Sequence, residues 1–237
     1  MLTEGSNWIP ESSGRILVRC PSDLEELVEQ YGFLPYFKCR IPGFSVEEYC
    51  DPGSWWCGDP ARDPWEWRAI VAAGGRVAYG KLFENKAGFV SRKWYPVLAA
   101  YRRDGYDFDS RWDDGLAARR EKKIMDVLES GESIPSFELK SLAGFGGDGE
   151  KGFESTVTRL MMQTYITIRG FRRRKNKRGE EYGWAVSVYS TPEALWGREA
   201  VVSCYHLERT QAQELLIDHM TGLFPCADTK EIRKLLR

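Results

Sequence analysis

From Leu116 onward the apolar positions recur with two periods in a fixed order. Leu116–Ser130 places Ile124, Val127 and Leu128 at helical spacing, and Gly131 ends the run. Ser133–Pro135 has the length of a single sheet-edge strand, and Ser136 caps a second helix through Phe137, Leu139 and Leu142. A glycine-rich turn follows at Gly144–Gly149. A third helix is predicted over Gly152–Gln163, with Phe153, Val157, Leu160 and Met161 on one face. The other face holds Ser155, Thr156, Thr158 and Arg159. Tyr165–Ile168 and Trp184–Tyr189 then alternate with the two-residue period of strands. Helix, short strand, helix, helix and hairpin is the order of a winged helix-turn-helix.

The first half is less regular. Ser22 with Glu25 makes a capping-box pattern ahead of Leu24, Leu27 and Val28, and Gly32 stops that helix. Arg15–Arg19 reads as a short strand, and Tyr31–Cys50 as irregular or short strand. Asp51–Pro64 holds three Asp-Pro pairs and reads as loop; Asp63 then caps a helix that starts at Pro64 and stops at Gly74-Gly75. Val77–Phe83 is a candidate strand, and Ser91 a cap for a helix to Arg103 that buries Trp94, Val97 and Leu98. Tyr101–Gly115 is rich in Asp and Gly and reads as a linker. Its acids do not match a calcium loop, which needs Gly at the sixth position and Glu at the twelfth. Thr191-Pro192 restarts a short helix through Leu195. Glu208–Gly222, with Leu215, Leu216 and Met220, and a final helix with Ile232, Leu235 and Leu236 close the chain. The expected organisation is a Trp-rich region at 1–112, a winged-helix domain at 113–192 and a helical segment at 193–237. The fold class is α+β, mostly helical, built of tandem winged-helix units.

Charge changes this picture. The 237-residue chain carries a formal charge of −1, yet Ser155–Gly179 contains eight Lys or Arg and no acid. They are Arg159, Arg169, Arg172, Arg173, Arg174, Lys175, Lys177 and Arg178. Positive charge concentrated on an otherwise acidic chain points to a polyanionic partner. Seven of these cations lie between the two predicted strands, six of them within 172–178, where several phosphates could be met at once. Ser155, Thr156 and Arg159 on the third helix are short or cationic side chains that suit a groove. The competing reading is a solvated charged loop on a small packing domain. Four of the nine tryptophans, Trp55, Trp56, Trp65 and Trp67, cluster around one short helix. They read first as core, and second as stacking platforms.

Other chemistry is thin. The six cysteines show no two-residue spacing, and the two histidines lie away from any cysteine at zinc-ligand spacing, so reduced thiols are expected rather than a metal site. No cofactor motif is present, because the glycines at 144–147 follow a helix and not a strand. No apolar run reaches the ~20 residues that span a bilayer, and no signal-peptide layout is seen. A cytoplasmic protein without a membrane partner is expected.

The chain resembles the AlkZ-related proteins, a group within the winged-helix DNA glycosylase superfamily that includes AlkZ and YcaQ. The resemblance rests on Tyr79–Phe83, Ala87–Ser91, Trp94–Pro96, Tyr101–Asp107, Arg120–Met125, Leu160–Tyr165 and Tyr182-Gly183-Trp184. It implies tandem winged helices around a cationic channel for duplex DNA. Active members of the superfamily carry a Gln-x-Gln or Gln-x-Asp motif near the first helix. The corresponding Gly32–Phe37 has neither Gln nor Asp. The expectation is therefore DNA binding, through Ser155, Thr156, Arg159, Arg169 and the wing, with no catalytic residue assigned. Two rivals stay open: an alkylated-base glycosylase with a displaced catalytic residue, and a protein-interaction module with an acidic partner.

Overall fold

Helices and short strands alternate along residues 18–237, the part of the chain that the computed structural model describes. Helix α1 (Pro21–Tyr31) starts at a proline, whose missing N–H costs nothing in a first turn. Cys20, not Ser22, is its N-cap. Strand β1 (Phe33–Pro35) follows, then two 3-10 turns at Val46–Tyr49 and Pro52–Ser54. Helix α2 (Pro64–Gly74) has the expected cap, because the Trp65 N–H donates to Asp63 at 2.9 Å. Strands β2 (Val77–Phe83) and β3 (Lys86–Ser91) are joined by Glu84-Asn85, both at positive φ (47° and 63°). That is the turn geometry whose twist matches a tight hairpin. The sheet is antiparallel, in the order β1-β3-β2.

Helices α3 (Tyr95–Arg103) and α4 (Phe108–Asp113) connect this unit to a second one. The second unit holds α5 (Arg119–Leu128), β4 (Ile134–Pro135), α6 (Ser136–Leu142), α7 (Phe153–Met162), β5 (Thr167–Lys175) and β6 (Glu181–Ser190). Its sheet is antiparallel, in the order β4-β6-β5. The two sheets thus share one layout: a short first strand ending in proline lies beside the last strand, and the hairpin's first strand is outermost. The chain closes with α8 (Pro192–Trp196), α9 (Arg198–Val201), α10 (Arg209–Leu223) and α11 (Thr229–Leu236).

One continuous set of buried side chains runs through both units and the C-terminal helices. In α7, Phe153, Val157, Leu160 and Met161 are all buried, as are Ile124 and Leu128 of α5, so that the predicted register holds. Val127 is half-buried. Arg103 ties three parts of the chain together. Its buried guanidinium donates to the Thr164 carbonyl and hydroxyl after α7, and pairs with Glu193 of α8.

The linker read at Tyr101–Gly115 contains the end of α3 and all of α4. Asp107 caps α4 by accepting the Ser110 N–H at 3.0 Å, so an acid that resembles linker composition is a helix signal. Ser91 lies outside α3, whose N-cap is Trp94, and Ser136 is the first residue of α6 and not its cap. Leu142 and Leu215 are 65% and 44% exposed. Among the tryptophans, Trp67 is core, Trp55 and Trp65 are half-buried against it, and Trp56 is exposed. The strand expected at Arg15–Arg19 falls partly outside the described residues; within them, Val18 bridges to Cys50. All six cysteines are free thiols. No helix of the described residues is long and apolar enough to cross a membrane.

Candidate nucleic-acid interface

The basic segment is strand, not loop. Strand β5 runs to Lys175, so Arg172, Arg173, Arg174 and Lys175 extend along an arm, and Lys177 and Arg178 occupy its tip. Near its base this sheet has three strands, because β4 pairs with β6 at Tyr189 and Val188. Beyond that point it is a two-stranded ribbon, and residues 172–185 are exposed on both strands. A ribbon of this kind contributes little stability on its own. Its base is anchored by Phe171 against Tyr79 and by the Thr167 hydroxyl, which donates to the Tyr79 carbonyl at 3.1 Å. The tip is set by Asn176, whose side-chain oxygen accepts the Arg178 and Glu180 N–H groups at 2.8 and 3.0 Å.

Among the described residues, none of the six arm and tip cations has an ion-pair partner, although ten ion pairs form elsewhere. Unpaired exposed cations on one ribbon repel one another and are free to meet an anion. The guanidinium of Arg174 lies 4.8 Å from the Phe137 ring of α6. A cleft of about 640 Å³ opens between α6 and the arm, lined by Phe137, Glu138, Glu181, Tyr182 and the basic side chains of 172–175.

The remaining predicted residues are more closely engaged. Arg169 lies at the base, half-buried, and its Nη1 donates to the Ala72 carbonyl at the end of α2 at 3.1 Å. Thr156 is turned inward and its hydroxyl donates to the Gly152 carbonyl at 2.9 Å. Ser155 is exposed and makes the same local bond at 2.8 Å. Arg159 is half exposed and pairs at 2.5 Å with Glu121, whose side chain is fully buried. That bond holds the Arg159 guanidinium above its usual pKa. Glu121 also accepts the Ala118 N–H at 2.8 Å, so it caps α5 while joining it to α7. The exposed face of α7 is narrower than the sequence implied. Glu154 sits on it, and Thr158 accepts a bond from Lys81 of β2 at 3.2 Å.

The region where the resemblance would put a catalytic group is core. Phe33, Leu34 and Tyr36 are fully buried, and the Tyr36 hydroxyl donates to the Pro64 carbonyl. Burial raises the Tyr36 pKa well above its ordinary value, so it stays a neutral phenol. Gly32–Phe37 offers no carboxylate or carboxamide.

Two further arm residues, Tyr182 and Trp184, are 49% and 91% exposed. Their sequence signal is an aromatic-Gly-aromatic run on the return strand of a basic hairpin.

The geometry defines an α+β protein with two like-ordered three-stranded sheets, one of which projects a cationic ribbon. The chain belongs to the AlkZ-related family, whose sequence model matches residues 18–237. No curated protein and no solved structure matches it.

Proposed function

We propose that this protein binds duplex DNA through the β5–β6 ribbon, acting as the wing of a winged-helix unit at 113–192. The order α5-β4-α6-α7-β5-β6, with β4 beside β6, supports that reading of the unit. The same strand order in the first unit supports a tandem arrangement. Family membership favours DNA over an acidic protein as the polyanion. The observation that carries the proposal is the set of six unpaired cations on a ribbon that the core does not need. Arg172, Arg173, Arg174, Lys175, Lys177 and Arg178 are the phosphate-contacting residues. Ser155 and Arg159 on α7 add contacts where that helix is exposed, Thr156 contributes by holding the first turn, and Arg169 by fixing the ribbon's base.

Binding is proposed without base excision. A glycosylase needs a group that stabilises a cationic sugar and positions water, and Gly32–Phe37 supplies neither. The direct test is a titration of a short plain duplex at several salt concentrations, beside an assay for base release from an alkylated duplex. Affinity should fall steeply with salt, because each neutralised phosphate releases counterions. No methylated base should be released above a protein-free control. Binding without salt dependence would refute the phosphate reading, and rapid base release would refute the non-catalytic one.

A further inference from the structure

The indole of Trp184 is 91% exposed, more than any other large apolar side chain of the described residues. Its position is built by the backbone. On β5 a single residue, Arg173, separates Arg172 from Arg174; their partners on β6 are Val186 and Tyr182, which are separated by three residues. Gly183, Trp184 and Ala185 therefore form a bulge opposite Arg173. Gly183 has φ +74°, a conformation that side chains other than glycine adopt at a cost, and nothing lies within 4 Å of where its Cβ would be. Glycine is required there by the bulge and not by packing. Bulges re-aim side chains, and this one holds a tryptophan in water, with Tyr182 two residues away, on the ribbon that carries the six free cations.

A flat apolar ring on a ribbon that also carries six cations fits a ligand that is flat, has a π face and is attached to a polyanion. A nucleobase has those three properties. In a paired, stacked duplex the base faces are covered; they become available where a base is unpaired or a step is opened. We propose that Trp184 stacks on an unstacked base, so that the ribbon prefers duplex DNA with an unpaired nucleotide over fully paired duplex. This rests on the reading of the ribbon as a phosphate-binding surface.

The test uses the full chain, a fully paired duplex, and the same duplex with one extra unpaired nucleotide. Four proteins are compared by fluorescence anisotropy: wild type, W184A, W184F, and the triple variant R172A/R173A/R174A. Wild type should prefer the duplex with the unpaired nucleotide. W184A should lose about five- to a hundredfold in affinity for that probe, the usual range for removing one base–aromatic stack. Its affinity for paired duplex should not change, and W184F should retain most of the preference. A wild type without preference, or a W184A variant that keeps it, overturns the stacking role and leaves phosphate binding standing. A triple variant that binds paired duplex as wild type does overturns the phosphate reading, and the stacking proposal falls with it.

Discussion

The first hairpin is folded into the protein, and the second leaves it. Strands β2 and β3 bury nearly every side chain, and Phe83, Phe89 and Val90 are core. Strands β5 and β6 bury only their bases, and from Arg172 to Ala185 every residue is exposed. Both hairpins belong to sheets with the same strand order. The difference lies in the side chains. Strands β2 and β3 span seven and six residues, and α7 and α1 pack on them. In the second sheet, arginines continue the strand past the point where β4 and the core can reach it. Desolvating six cations without partners would be prohibitive, so the ribbon must stand in water. One layout thus yields a structural hairpin and a hairpin available to a ligand.

Equivalent changes in the two hairpins should have unequal effects. Phe89→Ala in β3 removes a fully buried ring and should cost about 3–5 kcal/mol of stability in urea denaturation. Trp184→Ala in β6 should fall within about 0.5 kcal/mol of wild type by the same measurement. A large loss at Trp184 would mean that the ribbon packs on something in solution. Gly88→Ala would bring a Cβ to 2.4 Å from the Phe83 ring and 2.9 Å from the Leu34 carbonyl. Since a backbone atom cannot move aside cheaply, about 3 kcal/mol should be lost. Gly183→Ala meets no atom and should cost about 1 kcal/mol, through its positive φ alone. If the two glycines prove equivalent, the ribbon is no freer than the first hairpin.

Smaller effects sharpen the contrast within the second unit. Arg159→Ala strips the buried Glu121 of its partner, but solvent reaches the vacated position, so about 1 kcal/mol should be lost. Adding Glu121→Gln should recover part of that loss, because an amide oxygen still accepts the Ala118 N–H and carries no charge. Stability and DNA affinity should fall together in Arg159→Ala. In wing variants only affinity should fall. A stable Arg159→Ala protein with normal melting would show that the ion pair adds nothing to the α5–α7 junction.

The second unit was legible because its helices keep a strict period and glycines punctuate them. Val157 and Leu160 are buried as the spacing required. Helix α4 was hidden because Asp107 looks like linker composition until the Ser110 N–H is seen to need an acceptor. Strand β3 carries no period-two signal, because both of its faces are buried over Gly88–Ser91. Thr156 shares the polar face by its residue type, yet its hydroxyl bonds back to the Gly152 carbonyl and the side chain packs. The repeated strand order left no trace because the inter-strand segments differ in length and only the prolines ending β1 and β4 match. The Gly183 bulge depends on pairing with β5, which no local pattern encodes.

The central claim is that the ribbon's cations sit on phosphates. The measurement that tests it most directly is the slope of log affinity against log salt for plain duplex, in wild type and in R172A/R173A/R174A. Three lost phosphate contacts should make the slope shallower by up to about 2.7, about 0.9 for each contact. Urea unfolding should show stability unchanged within about 0.5 kcal/mol, since exposed cations of like sign stabilise little. An unchanged slope in a folded triple variant would contradict the account and leave the ribbon as a solvated, charged hairpin.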